Sequence, residues 1–181
     1  MLKITIPASE YYAKRTQEYY EFDEVTLELE HSLVSLAAWE SKWCVSYHGK
    51  QDKTTEETLD YIRCMTVSPK DVNPIVYNSL TKQNIDDIVE YIQRPMTATA
   101  QPKSKGGGPG GRAIYAERVY SWMFALNIPM ECQYWHLNRL LALIRVCNDE
   151  NTPPEKRNKK DIASEYARLN AERRRKLNTK G

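Results

Sequence analysis

Residues 24–43 read EVTLELEHSLVSLAAWESKW, and the hydrophobic period changes inside them. Val25, Leu27 and Leu29 alternate with Thr26 and Glu28, the period-two pattern of a half-buried strand. From His31 onward Leu33, Leu36, Trp39 or Glu40, and Trp43 recur at helical spacing. The stretch therefore predicts a strand followed by a helix, both with one apolar side. Residues 2–6, LKITI, repeat the alternation through Leu2, Ile4 and Ile6. The two strands are expected to pair as a hairpin around a long polar, tyrosine-rich connection. A lone hairpin is marginally stable in water, so its apolar face must rest on helices.

Those helices can be read farther along. Residues 54–65 open on Thr54 and Glu57, the spacing of a capping box, and continue through Leu59, Ile62 and Met65. Residues 73–80 form a short apolar piece of one or two turns. Thr81 caps a helix bearing Ile85, Ile88, Val89 and Ile92, which Pro95 stops. Past residue 113, Val119, Trp122, Met123 and Leu126 form one stripe. Residues 130–147, MECQYWHLNRLLALIRVC, read as the most apolar helix, with Trp135, Leu140, Leu143, Ile144 and Cys147 on its stripe. Residues 158–178 are polar nearly all round, as in a fraying or partner-dependent helix. The expected class is mainly α: a compact helical domain with an N-terminal β-hairpin and a basic C-terminal helix. Its divisions are residues 1–95 (hairpin plus helices), 96–112 (a flexible Gly/Pro-rich loop), 113–154 (a two-helix sector packed on the first) and 155–181 (a basic helical tail).

The loop deserves separate reading, because five of the seven glycines fall within residues 106–111. A phosphate-binding GxxxxGK[ST] loop needs a lysine and a hydroxyl after its last glycine, and an apolar strand before it. Here Arg112 and Ala113 follow, and the preceding PMTATAQPKSK is not a strand. GxGxxG matches formally from Gly106 to Gly111, as any run so dense in glycine does. The reading is a tether.

Composition sets the outer limits. The chain has 181 residues, 41% hydrophobic and 28% charged, with twelve tyrosines against two phenylalanines. Tyrosine suits half-buried surfaces and interfaces. No apolar run approaches the ~20 residues that span a bilayer, and MLKITIPASE lacks the apolar centre of a secretory signal. Four scattered cysteines are expected to be reduced, and no membrane role is expected. The net charge of +2 is unevenly placed. Residues 155–181 hold ten Lys or Arg against four Asp or Glu, net +6, leaving −4 for residues 1–154.

Chemical constellations are sparse. Cys44 with His48 and Cys132 with His136 stand at i and i+4, which on a helix would give each pair one face and the two pairs a Cys₂His₂ set for zinc. Whether the pairs meet in space cannot be read from spacing. Against zinc, Cys132 lies in an apolar helix, where cysteine behaves as a small hydrophobe. The carboxylate pairs Asp86–Asp87 and Glu56–Glu57 read as a solvated face and a helix start. GxSxG and HExxH are absent from the sequence. The expectation is no enzyme, no catalytic residues, no metal and no cofactor.

Binding is the better-supported class. Glu131–Arg139 (ECQYWHLNR) mixes aromatic, amide and charged side chains as interface hot spots do. Glu172–Lys176 (ERRRK) is a basic cluster of the kind that neutralises phosphates, although Tyr166 is the tail's one aromatic. The predicted partner-binding residues are Tyr134, Trp135, Arg139, Arg173, Arg174, Arg175 and Lys176.

Four stretches carry a resemblance: ITIPASE (4–10), LEHSLVSLAAWESKW (29–43), WHLNRLLALIRVCN (135–148) and ARLNAERRRKLNTKG (167–181). Together they resemble small proteins encoded in the tail-gene region of long-tailed bacteriophages, and look similar to tail assembly chaperones. The likeness spans most of the chain through overall pattern and carries over no site residue. It implies a non-enzymatic phage tail morphogenesis protein that binds the tape-measure protein or another tail protein, with self-association open, in the host cytoplasm. The alternatives are a structural tail or head-tail connector component located in the virion, and a nucleic-acid-binding protein acting through its basic tail.

Overall fold

The alternation at both ends of the N-terminal segment closes into one ladder. A computed structural model of the chain describes residues 1–13, 17–99, 114–151 and 159–177. In it β1 (Leu2–Ile6) and β4 (Val25–Leu29) pair antiparallel, Leu2 opposite Leu29 and Ile6 opposite Val25. Ile4, Ile6, Leu27 and Leu29 then share one face, and all four are buried. Full burial of such a side chain contributes about 1.5–3 kcal/mol.

The mainly helical class is corrected here to a mixed α/β one, because two further pieces of sheet appear. Glu10–Glu21, Tyr11–Tyr20 and Tyr12–Tyr19 stand opposite one another between β2 (Ser9–Ala13) and β3 (Glu18–Phe22), forming a separate two-stranded sheet inside the stretch expected to be a connection. Tyrosine's fit to a pleated surface explains it, and the tyrosines were in view as composition only. β5 (Thr66–Ser68) extends the first sheet to the order β1-β4-β5, with Leu29 opposite Thr66. Three residues are too few to show a period.

The helices lie against that sheet. α1 (Leu33–Trp43) and α2 (Thr55–Met65) both start with capping boxes, Ser32 with Ser35 and Thr54 with Glu57. A good N-cap is worth about 1 kcal/mol. α1 packs on α2, and Leu33, Leu36, Trp39, Tyr61, Ile62 and Met65 are buried. Trp39 satisfies its indole N–H on the Glu57 carbonyl at 2.8 Å. Next come a 3₁₀ turn, Pro74–Ser79, and α3 (Lys82–Gln93), which Thr81 caps with Asn84. α3 lies on β1, where the Asn84 amide donates to the Thr5 carbonyl at 3.4 Å.

The glycine run falls outside the described residues. Beyond it, α4 (Ala116–Ala125) packs on α1. The single helix expected over 130–147 is corrected: a 3₁₀ turn, Met130–Tyr134, ends at an extended Trp135, and α5 (Leu137–Asn151) starts anew. The Leu137 N–H donates to the His31 carbonyl at 2.7 Å, and Ser32 bridges His136 in antiparallel fashion. The Leu137 N–H thus pairs across the start of α1, and the His136 carbonyl, accepting from Leu140 at 3.1 Å, begins the ladder of α5. Val119, Met123, Leu137, Leu140 and Ile144 join the same core as the sheet. Residues Met1–Asn148 form one compact unit and Asp149–Gly181 a second. The second contains α6 (Lys159–Leu177), whose side chains from Tyr166 to Leu177 are exposed.

Candidate protein-interaction surface

Two arginine–tryptophan pairs mark the region after the glycine run. Arg139 starts the exposed side of α5, and its guanidinium stands 4.1 Å from the centre of the half-buried Trp135 ring. Arg118 lies over Trp122 in α4 at 5.4 Å. Each indole packs partly against the core and has a cation over its ring. Tyr134, the last residue of the 3₁₀ turn, is 63% exposed. Of the predicted contact residues in the body, Tyr134 and Arg139 are therefore on the surface and Trp135 is partly so.

The largest exposed apolar side chain nearby was not among the predicted ones. Phe124 is 67% exposed. It falls off the 119/122/123/126 stripe, one turn beyond Tyr120. An off-stripe phenylalanine in a chain with only two was the signal available. Tyr120 ties α4 to the 3₁₀ turn by donating to Gln133 Oε1 at 3.0 Å. Burial raises the Tyr120 pKa, and the nearby Tyr134 raises it further. Tyr134 is thus a neighbour of the helix face that carries Phe124. Phe124 and Tyr134 are exposed on the side of α4 that Tyr120 ties to the 3₁₀ turn, whereas Arg118 and Trp122 lie roughly 120–160° round the helix from Phe124. Aromatic and arginine side chains are the types enriched where interfaces concentrate their energy.

Arg173, Arg174, Arg175 and Lys176 are exposed on the last turns of α6, in the second unit. Lys176 pairs with Glu172 at 3.1 Å. An exposed pair one turn apart contributes a few tenths of a kcal/mol, so the cluster's cationic field survives.

The cysteine–histidine spacing does not become two chelating faces. Cys44 is the left-handed C-cap of α1, its thiol turned to the Ser41 carbonyl, and His48 lies beyond the helix. Cys132 is buried in the 3₁₀ turn, separated from His136 by the break at Trp135. Among the described residues no group of three or more His, Cys, Asp or Glu could hold a metal ion.

His136 and His31, the second of which sequence reading passed over, belong to a buried polar network instead. His136 Nε2 donates to the Tyr91 carbonyl at 3.0 Å, and its Nδ1 accepts from the Asn138 N–H at 3.3 Å, so the Nε2–H tautomer is the one present. The two imidazoles stand 5.2 Å apart, edge to face. His31 Nδ1 and the Tyr61 hydroxyl are hydrogen bonded at 2.6 Å. Tyr91 donates to Glu30 at 2.8 Å. Burial, then the neighbouring His136 and His48, push the His31 pKa down to about 3. Burial also lowers His136, against a smaller upward pull from its bond to Tyr91. Both rings are neutral and structural.

A shallow cleft of about 410 Å³ lies where α1 ends and α4 begins, lined by Glu40, Cys44, Tyr115 and Glu117 among others. Its buried carboxylate is already engaged: Glu40 accepts from the Ala116 N–H at 2.7 Å and from the Tyr47 N–H at 2.8 Å. A groove of about 400 Å³ beside α2 contains Asp60, which accepts from Lys42 at 2.5 Å and from the Trp43 indole at 2.9 Å. Burial raises the Asp60 pKa, but the hydrogen bonds from Lys42 and Trp43 outweigh it and hold the carboxyl below its usual value. Among the described residues no helix is long and apolar enough to cross a membrane. Comparison with protein-family models, curated proteins and solved structures gives no match.

Proposed function

We propose that this chain is a non-enzymatic protein-binding protein of phage tail morphogenesis, a chaperone whose client is the tape-measure protein. The exposed aromatics Phe124 and Tyr134, with the Trp135–Arg139 stack, carry the reading. A long amphipathic helical client offers apolar stripes, and Phe124, Tyr134 and Trp135 offer rigid apolar area, the last beside the cation Arg139. The phage assignment rests on the resemblance of the four stretches quoted above.

The groups capable of chemistry support binding over catalysis, because each has a structural engagement. Glu57 accepts from Lys50 and from the Thr54 N–H and is held below the usual carboxylate range, chiefly by Lys50. Burial pushes the Cys64 thiol up to about 11 and raises Cys132, so neither is a thiolate near neutrality. Glu40 and Asp60 serve backbone and side-chain donors, and the His31–His136 pair is locked in the core.

The decisive experiment is recovery of the full-length protein from infected cells, with and without nuclease, read by mass spectrometry. Enrichment of one long helical tail protein that survives nuclease, and that is lost from a Phe124→Ala/Tyr134→Ala variant, supports the chaperone. Bulk nucleoprotein that nuclease abolishes overturns it in favour of the basic tail, for which the exposed Arg173–Lys176 run is the specific observation. Presence of the chain in purified particles makes it a tail or connector component.

A further inference from the structure

The β2–β3 sheet has two unlike faces. Ser9, Tyr11, Tyr20 and Phe22 are half-buried, and Phe22 packs against the core. Glu10, Tyr12, Tyr19 and Glu21 point the other way and are all exposed, Tyr19 to 76% and Tyr12 to 42%. The register sets these four in two cross-strand pairs. Tyr12 stands opposite Tyr19, with ring centres 4.7 Å apart. Glu10 stands directly opposite Glu21, a like-charge pair that disfavours the ladder. Among the described residues neither carboxylate has an ion-pair partner.

Two features on one sheet face thus need the same complement. Paired carboxylates with no ion-pair partner among the described residues favour a cation between them. An exposed pair of tyrosine rings one strand repeat away, about 7 Å along the sheet, offers π faces on which a cation stacks. Guanidinium answers both, since it is planar, stacks on aromatic rings and bonds carboxylates through a fork of N–H donors. Lysine answers the charge and can sit over a ring, but it has neither the planar stack nor the fork of donors. Phosphate is repelled, which excludes nucleic acid from this face, and residues 1–154 are net negative as a whole.

We propose that the outer face of the β2–β3 hairpin docks an arginine-rich segment of a partner protein, one guanidinium between Glu10 and Glu21 and a neighbouring one stacked on Tyr12 and Tyr19. This surface shares no residue with the one assigned to the client above, and the proposal stands whichever protein that client is.

The test is calorimetric titration of the full-length protein with a short alternating Arg-Ala peptide, and with lysine and glutamate versions of the same length. The arginine peptide is expected to bind tighter than the lysine one, and the glutamate one not at all. Glu10→Gln/Glu21→Gln is expected to weaken arginine-peptide binding about tenfold or more. That variant removes a repulsion and keeps the side-chain shapes, so its loss of affinity is not unfolding; circular dichroism checks this. Tyr12→Ala/Tyr19→Ala is expected to reduce the preference for arginine over lysine to what the fork onto Glu10 and Glu21 supplies. Removing two exposed carboxylates elsewhere, by Asp86→Asn/Glu117→Gln, is expected to leave affinity within twofold. The proposal is overturned if Glu10→Gln/Glu21→Gln binds like the parent, or if the Asp86/Glu117 variant loses as much. It is also overturned if the parent sediments as a self-associated species that Glu10→Gln/Glu21→Gln returns to monomer, which would assign the face to a second copy.

Discussion

The Glu40 carboxylate accepts the backbone N–H of Ala116 across 76 positions of sequence, at 2.7 Å. Ala116 begins α4, and Tyr115 at its N-cap provides no side-chain cap. The cap that Ser, Thr or Asp ordinarily supplies locally therefore comes from α1, and the negative charge sits where the helix dipole favours it. The other Glu40 oxygen holds the turn after α1 through the Tyr47 N–H. One carboxylate joins the sectors on either side of the glycine run. Glu40→Ala is expected to leave two N–H groups without their partner and to cost about 2–4 kcal/mol, with Glu40→Gln in between. Urea denaturation at constant m-value measures both.

The His31–His136 pair predicts acid sensitivity at mild pH. Unfolded histidine titrates near 6.5, whereas folded His31 is held down to about 3. Below pH 6.5 the unfolded state binds more protons, so stability falls as pH falls, from about 6.5 down to about 3. The slope approaches about 1.4 kcal/mol per pH unit for each fully linked proton. His136, also lowered, adds in the same direction. Replacing both partners of one hydrogen bond, His31→Phe/Tyr61→Phe, is expected to remove about one proton from the slope between pH 6.5 and 5. An unchanged slope in denaturant midpoints across that range would assign the linkage elsewhere.

Surface substitutions should separate binding from folding. Phe124→Ala and Tyr134→Ala remove side chains that are mostly exposed, so stability is expected to change by less than about 0.5 kcal/mol. Client affinity is expected to fall about tenfold or more for each. Arg139→Ala uncovers Trp135 and is expected to weaken binding less, through loss of the stack. Titration of client against each variant, with thermal melts alongside, tests the assignment.

Truncation after Pro154 removes α6 and keeps the unit Met1–Asn148. The body is expected to stay folded, its circular dichroism losing only the helical signal of α6 and its melting temperature unchanged. Client binding is expected to weaken through loss of Arg173, Arg174, Arg175 and Lys176. Equal affinity of the truncated and full-length chains would confine recognition to the body.

Some of the candidate surface was legible before the structure. Tyr134, Trp135 and Arg139 were singled out from their mixture of residue types. Phe124 was missed because stripe reading discards the side of a helix that does not face the core. The 130–147 segment was read as one helix because its apolar residues fit the period. His31 and Ser32 break it by competing for the backbone at 136–137.

What the sequence by itself determined is the local grammar. The alternation of β1 and β4, the capping box at Thr54, the cap at Thr81, and the buried faces of α1, α2 and α3 follow from residues at most a few positions apart. Tertiary structure alone decided the mixed class, the third strand at Thr66–Ser68, the break before α5, the cap that Glu40 lends to Ala116, and the pairing of His31 with His136. Apart from the local β2–β3 pairing that contributes to the mixed class, each of these joins groups far apart along the chain. A buried N–H, carbonyl or imidazole must find some partner, but local spacing does not say which, and the answer appears only when folding brings the two together.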